Sequence, residues 1–136
     1  MIFGIGTDIV QVSRIAAVIA RSGTRFAEKI LGADELQEYQ QRSARVAANG
    51  LRYLCKRYAA KEAYSKALGL GMRPPMSWHD LQILNVAYGA PQCVATGLLD
   101  DYMQHRQLSA KISLSDEIDY AVAFVLLEQN QRDVAS

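Results

Sequence analysis

The chain has 136 residues, half of them hydrophobic, and 15 basic against 14 acidic side chains leave a formal charge of +1. That length suits one domain with a modest core, read as residues 1–128 with a polar tail over 129–136. The near-neutral balance argues against nucleic-acid binding, no apolar run approaches the roughly 20 residues that span a bilayer, and no signal peptide is evident, so a cytoplasmic protein is expected.

Met1–Val10 reads as a strand. Phe3, Ile5, Thr7 and Ile9 share one face; Gly4, Gly6, Asp8 and Val10 share the other. Two glycines on one face mark a place where another backbone or a ligand comes close. Asp8 projects from that bare face near the strand's end. It either caps the next helix or does chemistry.

A helix follows over Val12–Arg21, then a break at Ser22-Gly23-Thr24, then a short helix carrying Phe26. Arg14, Arg21, Arg25 and Lys29 concentrate positive charge here, interleaved with Val18 and Phe26. Such a run is either a solvated face or a dock for an acidic partner, with charge steering the encounter and apolar groups anchoring it. Asp34 is placed to cap a third helix from Glu35 to about Ser43.

A long helix is expected from about Asn49, its cap, to Gly69, whose freedom at positive φ ends it. Leu51, Leu54, Cys55 and Tyr58 form an apolar stripe, and the next position on that stripe is Glu62. One turn on sits Lys66, with Ser65 beside it; Arg57 and Lys61 form a neighbouring row. A carboxylate in line with a core stripe must be paired, neutralised or bound to a metal. The competing reading is a surface Glu62–Lys66 pair worth about 0.2–0.5 kcal/mol. Gly69-Leu70-Gly71 opens a loop, rich in glycine and proline, whose backbone can approach a ligand.

The remainder is strand-rich: an edge strand within Trp78–Val86, a short strand Gln92–Ala95, a helix from Thr96 to about Gln107, an alternating strand Ser109–Ser115 and an apolar central strand Tyr120–Leu127. This order implies an α+β fold, with a mainly antiparallel sheet packed against one long helix and several shorter ones. Cys55 and Cys93 lack C-x-x-C spacing and read as buried thiols of a reducing compartment. His79 and His105 are isolated from each other and from the cysteines, so neither reads as a metal ligand.

If Asp8 and Glu62 converge, their repulsion is relieved by a cation. Mg²⁺ takes one or two carboxylates and leaves its other positions to water and substrate phosphates. Lys61, Ser65, Lys66 and the glycine loop would then supply donors to a pyrophosphate. The constellation points to phosphoryl transfer, where catalysis is largely positioning and charge neutralisation.

Gly4-Ile5-Gly6-Thr7-Asp8-Ile9-Val10, Arg14-Ile15, Arg25-Phe26-x-x-Lys29-Ile30-Leu31 and Arg57-Tyr58-Ala59-Ala60-Lys61-Glu62-Ala63 through Ser65-Lys66-Ala67-Leu68-Gly69-x-Gly71 resemble the short bacterial 4′-phosphopantetheinyl transferases, the holo-acyl-carrier-protein synthase family. The resemblance covers nearly the whole chain in order. It implies Mg²⁺-dependent transfer of 4′-phosphopantetheine from coenzyme A to a serine of acyl carrier protein, in support of fatty acid biosynthesis, with release of adenosine 3′,5′-bisphosphate. It implies Asp8 and Glu62 as metal ligands, and Lys61, Ser65, Lys66, Gly69, Gly71 and Lys111 at coenzyme A. Glu62 and Glu35 are the candidates for taking the serine's proton, with Lys66 beside them in the catalytic set. Arg14, Arg21, Arg25, Phe26 and Lys29 fall where the family docks its carrier. A homotrimer with sites at subunit boundaries is also implied.

Three positions depart from the family's pattern. Lys111 stands where a histidine is frequent, Gly89-Ala90-Pro91 lacks the usual central lysine, and Ser113-Leu114-Ser115-Asp116-Glu117 has no histidine. Two other functions compete. A Mg²⁺-dependent pyrophosphatase would need no carrier dock, and a non-enzymatic subunit for an acidic partner would not need Asp8 or Glu62.

Overall fold

The computed structural model describes residues 1–131. Strand β1 (Ile2–Gln11) leads into helices α1 (Val12–Ser22), α2 (Arg25–Ile30), α3 (Ala33–Arg45) and α4 (Ala47–Leu68). Strands β2 (Leu81–Asn85) and β3 (Pro91–Ala95), helix α5 (Gly97–His105) and strands β4 (Leu108–Asp116) and β5 (Tyr120–Gln129) complete the described chain. The fold is α+β, and every strand pairing is antiparallel. The strands form two sheets rather than one: β1-β5-β4, with the apolar β5 in the centre, and β2-β3. β5 continues past Leu127 to Gln129, so the start of the expected tail belongs to the sheet. Residues 132–136 lie outside the described residues.

Small residues set how closely α4 lies on the large sheet. A Cβ on Gly4 would stand 2.1 Å from the Ala67 carbonyl oxygen, and one on Gly6 would stand 1.9 Å from that of Ala63. The bare face of β1 therefore receives the helix backbone itself. Ala121 and Ala123 of β5 and Ala59, Ala60 and Ala63 of α4 are fully buried around the same contact.

The helix bounds differ from the expected ones for local reasons. α4 starts at Ala47, with Val46 in the cap position and Asn49 inside the first turn, and it ends as expected at Gly69, φ 79°. α3 starts at Ala33; its cap position is Gly32, whose N–H donates to Glu35, so Asp34 is not the cap. α4 is also not a one-striped helix. Tyr53, Leu54, Cys55, Arg57, Ala60, Lys61 and Tyr64 are all buried, which spans most of its circumference. Such a helix sits at the centre of a domain. The sheet covers one side, and α3 with β2 covers another. Arg57 makes this second contact polar: it donates to the Ile83 carbonyl and to Asn85, both at 3.1 Å, and stacks over Tyr53. Cys55 is buried and Cys93 half-buried, and burial pushes both thiols up to about 12.

The other face of the large sheet is apolar and open. Phe3, Ile5, Ile9, Tyr120, Val122 and Phe124 are between 38% and 63% exposed. Across β1 and β5 the register sets Ile9 against Val122 and Thr7 against Phe124, so these side chains form one continuous patch.

Candidate active site

The close β1–α4 contact brings two acidic residues to one place. Asp8 lies two residues beyond Gly6 on the helix-facing side of β1, and Glu62 lies next to Ala63, the residue that Gly6 touches. Both line a cleft of about 420 Å³ together with Tyr58, Phe26, Arg14 and Arg21. The acid pair and the basic, partly apolar surface of α1 and α2 are thus walls of the same cleft.

Lys66, one turn beyond Glu62, reaches back over the strand. Its Nζ lies 3.0 Å from Asp8 Oδ1 and donates to the Thr7 carbonyl at 3.1 Å. Glu62 is half-buried and forms no ion pair among the described residues. Burial raises its carboxyl above the usual range, the Asp8 carboxylate raises it further, and the Lys66 ammonium partly offsets both. A half-desolvated, unpaired carboxylate facing a second carboxylate is a cation-accepting arrangement. Among the described residues no third acidic, histidine or cysteine side chain joins them. Two oxygen donors and open positions fit Mg²⁺ with substrate phosphates better than a closed protein cage.

Three of the residues expected at the reacting groups are placed elsewhere. Lys61 and Glu35 are fully buried and 2.5 Å apart. Lys61 Nζ also donates to the Ile30 and Trp78 carbonyls, which uses its three protons. Glu35 accepts from the Gly32 and Ile83 amides as well. Burial lowers the Lys61 pKa and the Glu35 carboxylate pulls it back up. This network leaves Lys61 no proton for a phosphate and Glu35 no route to a serine. Ser65 is also buried, with its hydroxyl donating to the Glu62 carbonyl at 2.7 Å. These three leave the set of substrate-touching residues.

The remaining positions are accessible. Gly69 and Gly71 follow Lys66 in the exposed loop, with φ of 79° and 66°. Arg14, Arg21, Arg25 and Lys29 are exposed on α1 and α2. Lys111 is exposed, with its Nζ 3.3 Å from Glu128. It stands on the outer face of the sheet. Asp8 pairs with Ala123, Ala123 pairs with Leu114, and Lys111 is an odd number of residues along β4 from Leu114. One chain therefore does not bring Lys111 to Asp8.

Two aromatic residues join the site that were not singled out for it. Tyr58 lines the cleft and stacks on Trp78, with ring centroids 5.6 Å apart and planes at 17°; Phe26 meets Tyr58 at 5.6 Å on the other side. Tyr58 lies one turn before Glu62 on the stripe, a signal the sequence did carry. Nothing in the local sequence ties Trp78 to it.

This architecture and its sequence have close relatives. The holo-[acyl-carrier-protein] synthase of Herminiimonas arsenicoxydans is 54% identical over 129 residues, covering 95% of this chain and 99% of its own. The crystal structure of holo-[acyl-carrier-protein] synthase from Neisseria meningitidis superposes with a TM-score of 0.87 at 38% identity, over 95% of this chain and all of that one. A holo-(acyl-carrier-protein) synthase from Bacillus anthracis, solved in complex with CoA (3′,5′-ADP), has a TM-score of 0.79 at 30% identity, over 96% of this chain and 99% of that one. Residues 4–125 match the 4′-phosphopantetheinyl transferase superfamily, a span that holds both acidic residues, the glycine contacts and the whole cleft, and the chain belongs to that superfamily.

Proposed function

We propose that the chain moves the 4′-phosphopantetheine group of coenzyme A onto a serine of an apo-acyl carrier protein, the activity its relatives are named for, and so supplies the carrier for fatty acid biosynthesis. The observation that carries this reading is the shared cleft. A cation-accepting acid pair and a basic dock face each other across it, and hydrolysis of a pyrophosphate would need only the first.

In this reading the serine oxygen attacks the β-phosphorus of coenzyme A. The bond from that phosphorus to the bridging oxygen breaks, and adenosine 3′,5′-bisphosphate leaves with the α-phosphate. Asp8 and Glu62 would hold Mg²⁺, which would supply charge neutralisation at the pyrophosphate. Lys66 lies on the same wall and adds a positive charge beside the reacting phosphates. The left-handed glycines at 69 and 71 let the loop backbone approach them. Glu62, half-buried and free of ion pairs among the described residues, is the carboxylate we assign to accept the serine's proton through a water it holds. Arg14, Arg21, Arg25 and Lys29 meet the acidic carrier, and Phe26, Val18 and Tyr58 give it an apolar seat.

The site is shared between copies in this reading. Three chains pack through the outer face of the large sheet, where Phe3, Ile5, Ile9, Val122 and Phe124 otherwise stay in water. Lys111 stands on that face, so a neighbour's coenzyme A can reach it. Phe124→Glu is expected to shift the sedimenting species from trimer to monomer and to lower transfer by at least about tenfold, since a charge buried there has no partner; a trimer that persists would count against this face. Both cysteines are free, which suits the reducing cytoplasm as the proposed setting, and no helix among the described residues is long and apolar enough to cross a membrane.

The deciding experiment is the intact mass of an apo-acyl carrier protein incubated with this protein, coenzyme A and Mg²⁺, with and without chelator. A gain of one phosphopantetheine that the chelator abolishes supports the transferase. Cleaved coenzyme A with an unmodified carrier would point to a hydrolase; unmodified carrier with intact coenzyme A would point to a binding protein.

A further inference from the structure

The short helix α2 carries Arg25, Phe26 and Lys29 of the proposed dock, yet it has little of its own to hold it. It has six residues, and the Leu31 amide closes it on the Ala27 carbonyl. The carbonyls after Ala27 have no partner within such a helix. Two side chains from outside it take up two of these orphans. Lys61 donates to the Ile30 carbonyl at 2.6 Å, and His79 meets the Glu28 carbonyl at 2.7 Å through Nε2. A carbonyl only accepts, so Nε2 carries the proton in this contact.

The same lysine fixes the segment that bears His79. Its third bond goes to the Trp78 carbonyl at 2.9 Å, and the Trp78 ring stacks on Tyr58, which touches Phe26. Glu35 completes the junction. It neutralises Lys61 and ties the start of α3 and the middle of β2 to it through the Gly32 and Ile83 amides. α2, α3, α4, β2 and the Trp78 loop thus meet at one buried ion pair, and that pair hangs from the residue preceding Glu62.

We infer that Lys61, Glu35 and His79 are positioning residues that hold the carrier-docking helix α2 in register with Glu62. This deepens the proposed function and rests on it, because α2 matters to the reaction only if a carrier docks there. None of the three lines the cleft, so they act through Phe26, Tyr58 and the course of α2. None of the three side chains hydrogen-bonds to Asp8, Glu62, Lys66 or the glycine loop, the residues that hold coenzyme A and the cation in the proposed function.

The test is steady-state kinetics with apo-acyl carrier protein and coenzyme A varied separately, on the whole protein. In the double variant Lys61→Met/Glu35→Gln both charges are removed together, which leaves no bare ion in the core. It is expected to raise KM for the carrier about tenfold while KM for coenzyme A stays within about twofold. His79→Ala, at an exposed position, is expected to raise KM for the carrier about threefold with an unchanged melting temperature. A pair that merely stabilised the fold would lower the amount of active enzyme and leave both KM values alone. The inference is overturned if neither variant changes KM for the carrier, or if both substrates' KM values rise together. Should the double variant not fold, His79→Ala alone decides. Failure of the underlying reading would look different, because the unaltered protein would then modify no carrier at all.

Discussion

Glu62→Gln is expected to lower kcat/KM for phosphopantetheine transfer by about 10³-fold or more and to leave the protein folded. The magnitude is that of losing an electrostatic group fixed at a reacting centre. Glutamine keeps the shape, and the Glu62 carboxylate has no salt bridge to lose among the described residues. What disappears is the charge that, with Asp8, attracts the cation in the proposed function. Stability should move the other way. Burial and the Asp8 carboxylate raise the Glu62 pKa in the folded protein above its unfolded value. Its contribution is therefore fully present below the unfolded pKa, about 4.3, and is lost as pH rises through the higher folded pKa. In chelator, the stability of Glu62→Gln relative to the unaltered protein should therefore rise over that window. Calorimetry at pH 4 and pH 7 reads this, and the carrier-mass assay reads the transfer. A glutamine variant that transfers within tenfold of the unaltered rate would remove Glu62 from the site.

The second large effect concerns a residue with no chemistry. Gly6→Ala should destabilise the fold by about 3 kcal/mol or more. The added methyl would stand 1.9 Å from the Ala63 carbonyl oxygen and 2.8 Å from the Ala67 amide nitrogen. Both are helix backbone, so neither can turn aside as a flexible side chain would. α4 must lift from β1, and Glu62, one residue from Ala63, moves away from Asp8. Molecules that still fold should therefore transfer at least about tenfold more slowly. Gly69→Ala is the useful contrast. Its methyl meets nothing within 4 Å, and only the positive φ of 79° opposes it, so the cost should stay near about 1 kcal/mol. Urea unfolding of the two variants separates a collision from a conformational preference; equal midpoints would contradict the close helix–strand contact.

The convergence of Asp8 and Glu62 was legible because both lie in regular patterns that they interrupt. Asp8 follows two glycines on one strand face, and Glu62 falls on a helical apolar stripe. Periodicity is local, so the sequence carries it. The inward roles of Lys61 and Glu35 were not legible for the opposite reason. A lysine and a glutamate 26 residues apart look like two surface residues until the chain brings them to 2.5 Å. Ser65 looked like a phosphate donor, but a helical serine can satisfy itself on its own helix, and this one does. The all-round burial of α4 was hidden by the same charged residues, since Arg57 and Lys61 broke up what is in fact interior. The division into two sheets depends on which strands pair, and that is a long-range choice. β5 was recognised as central because its run is apolar on both faces.

The order of strands in the large sheet also bears on how the protein comes off the ribosome. Among the described residues β1 has a single partner, β5, and Asp8 pairs with Ala123, so β1 must wait until β5 has been made. Those positions are 123 − 8 = 115 residues apart, a delay of about 6–23 s at ordinary translation speeds. Throughout that interval the helices can form locally, but a strand with an apolar outer face and a glycine inner face has no edge to join. Of the two acids of the site, Asp8 is thus synthesised before Glu62 yet fixed only with β5, and binding of the cation should begin only after β5 has been made.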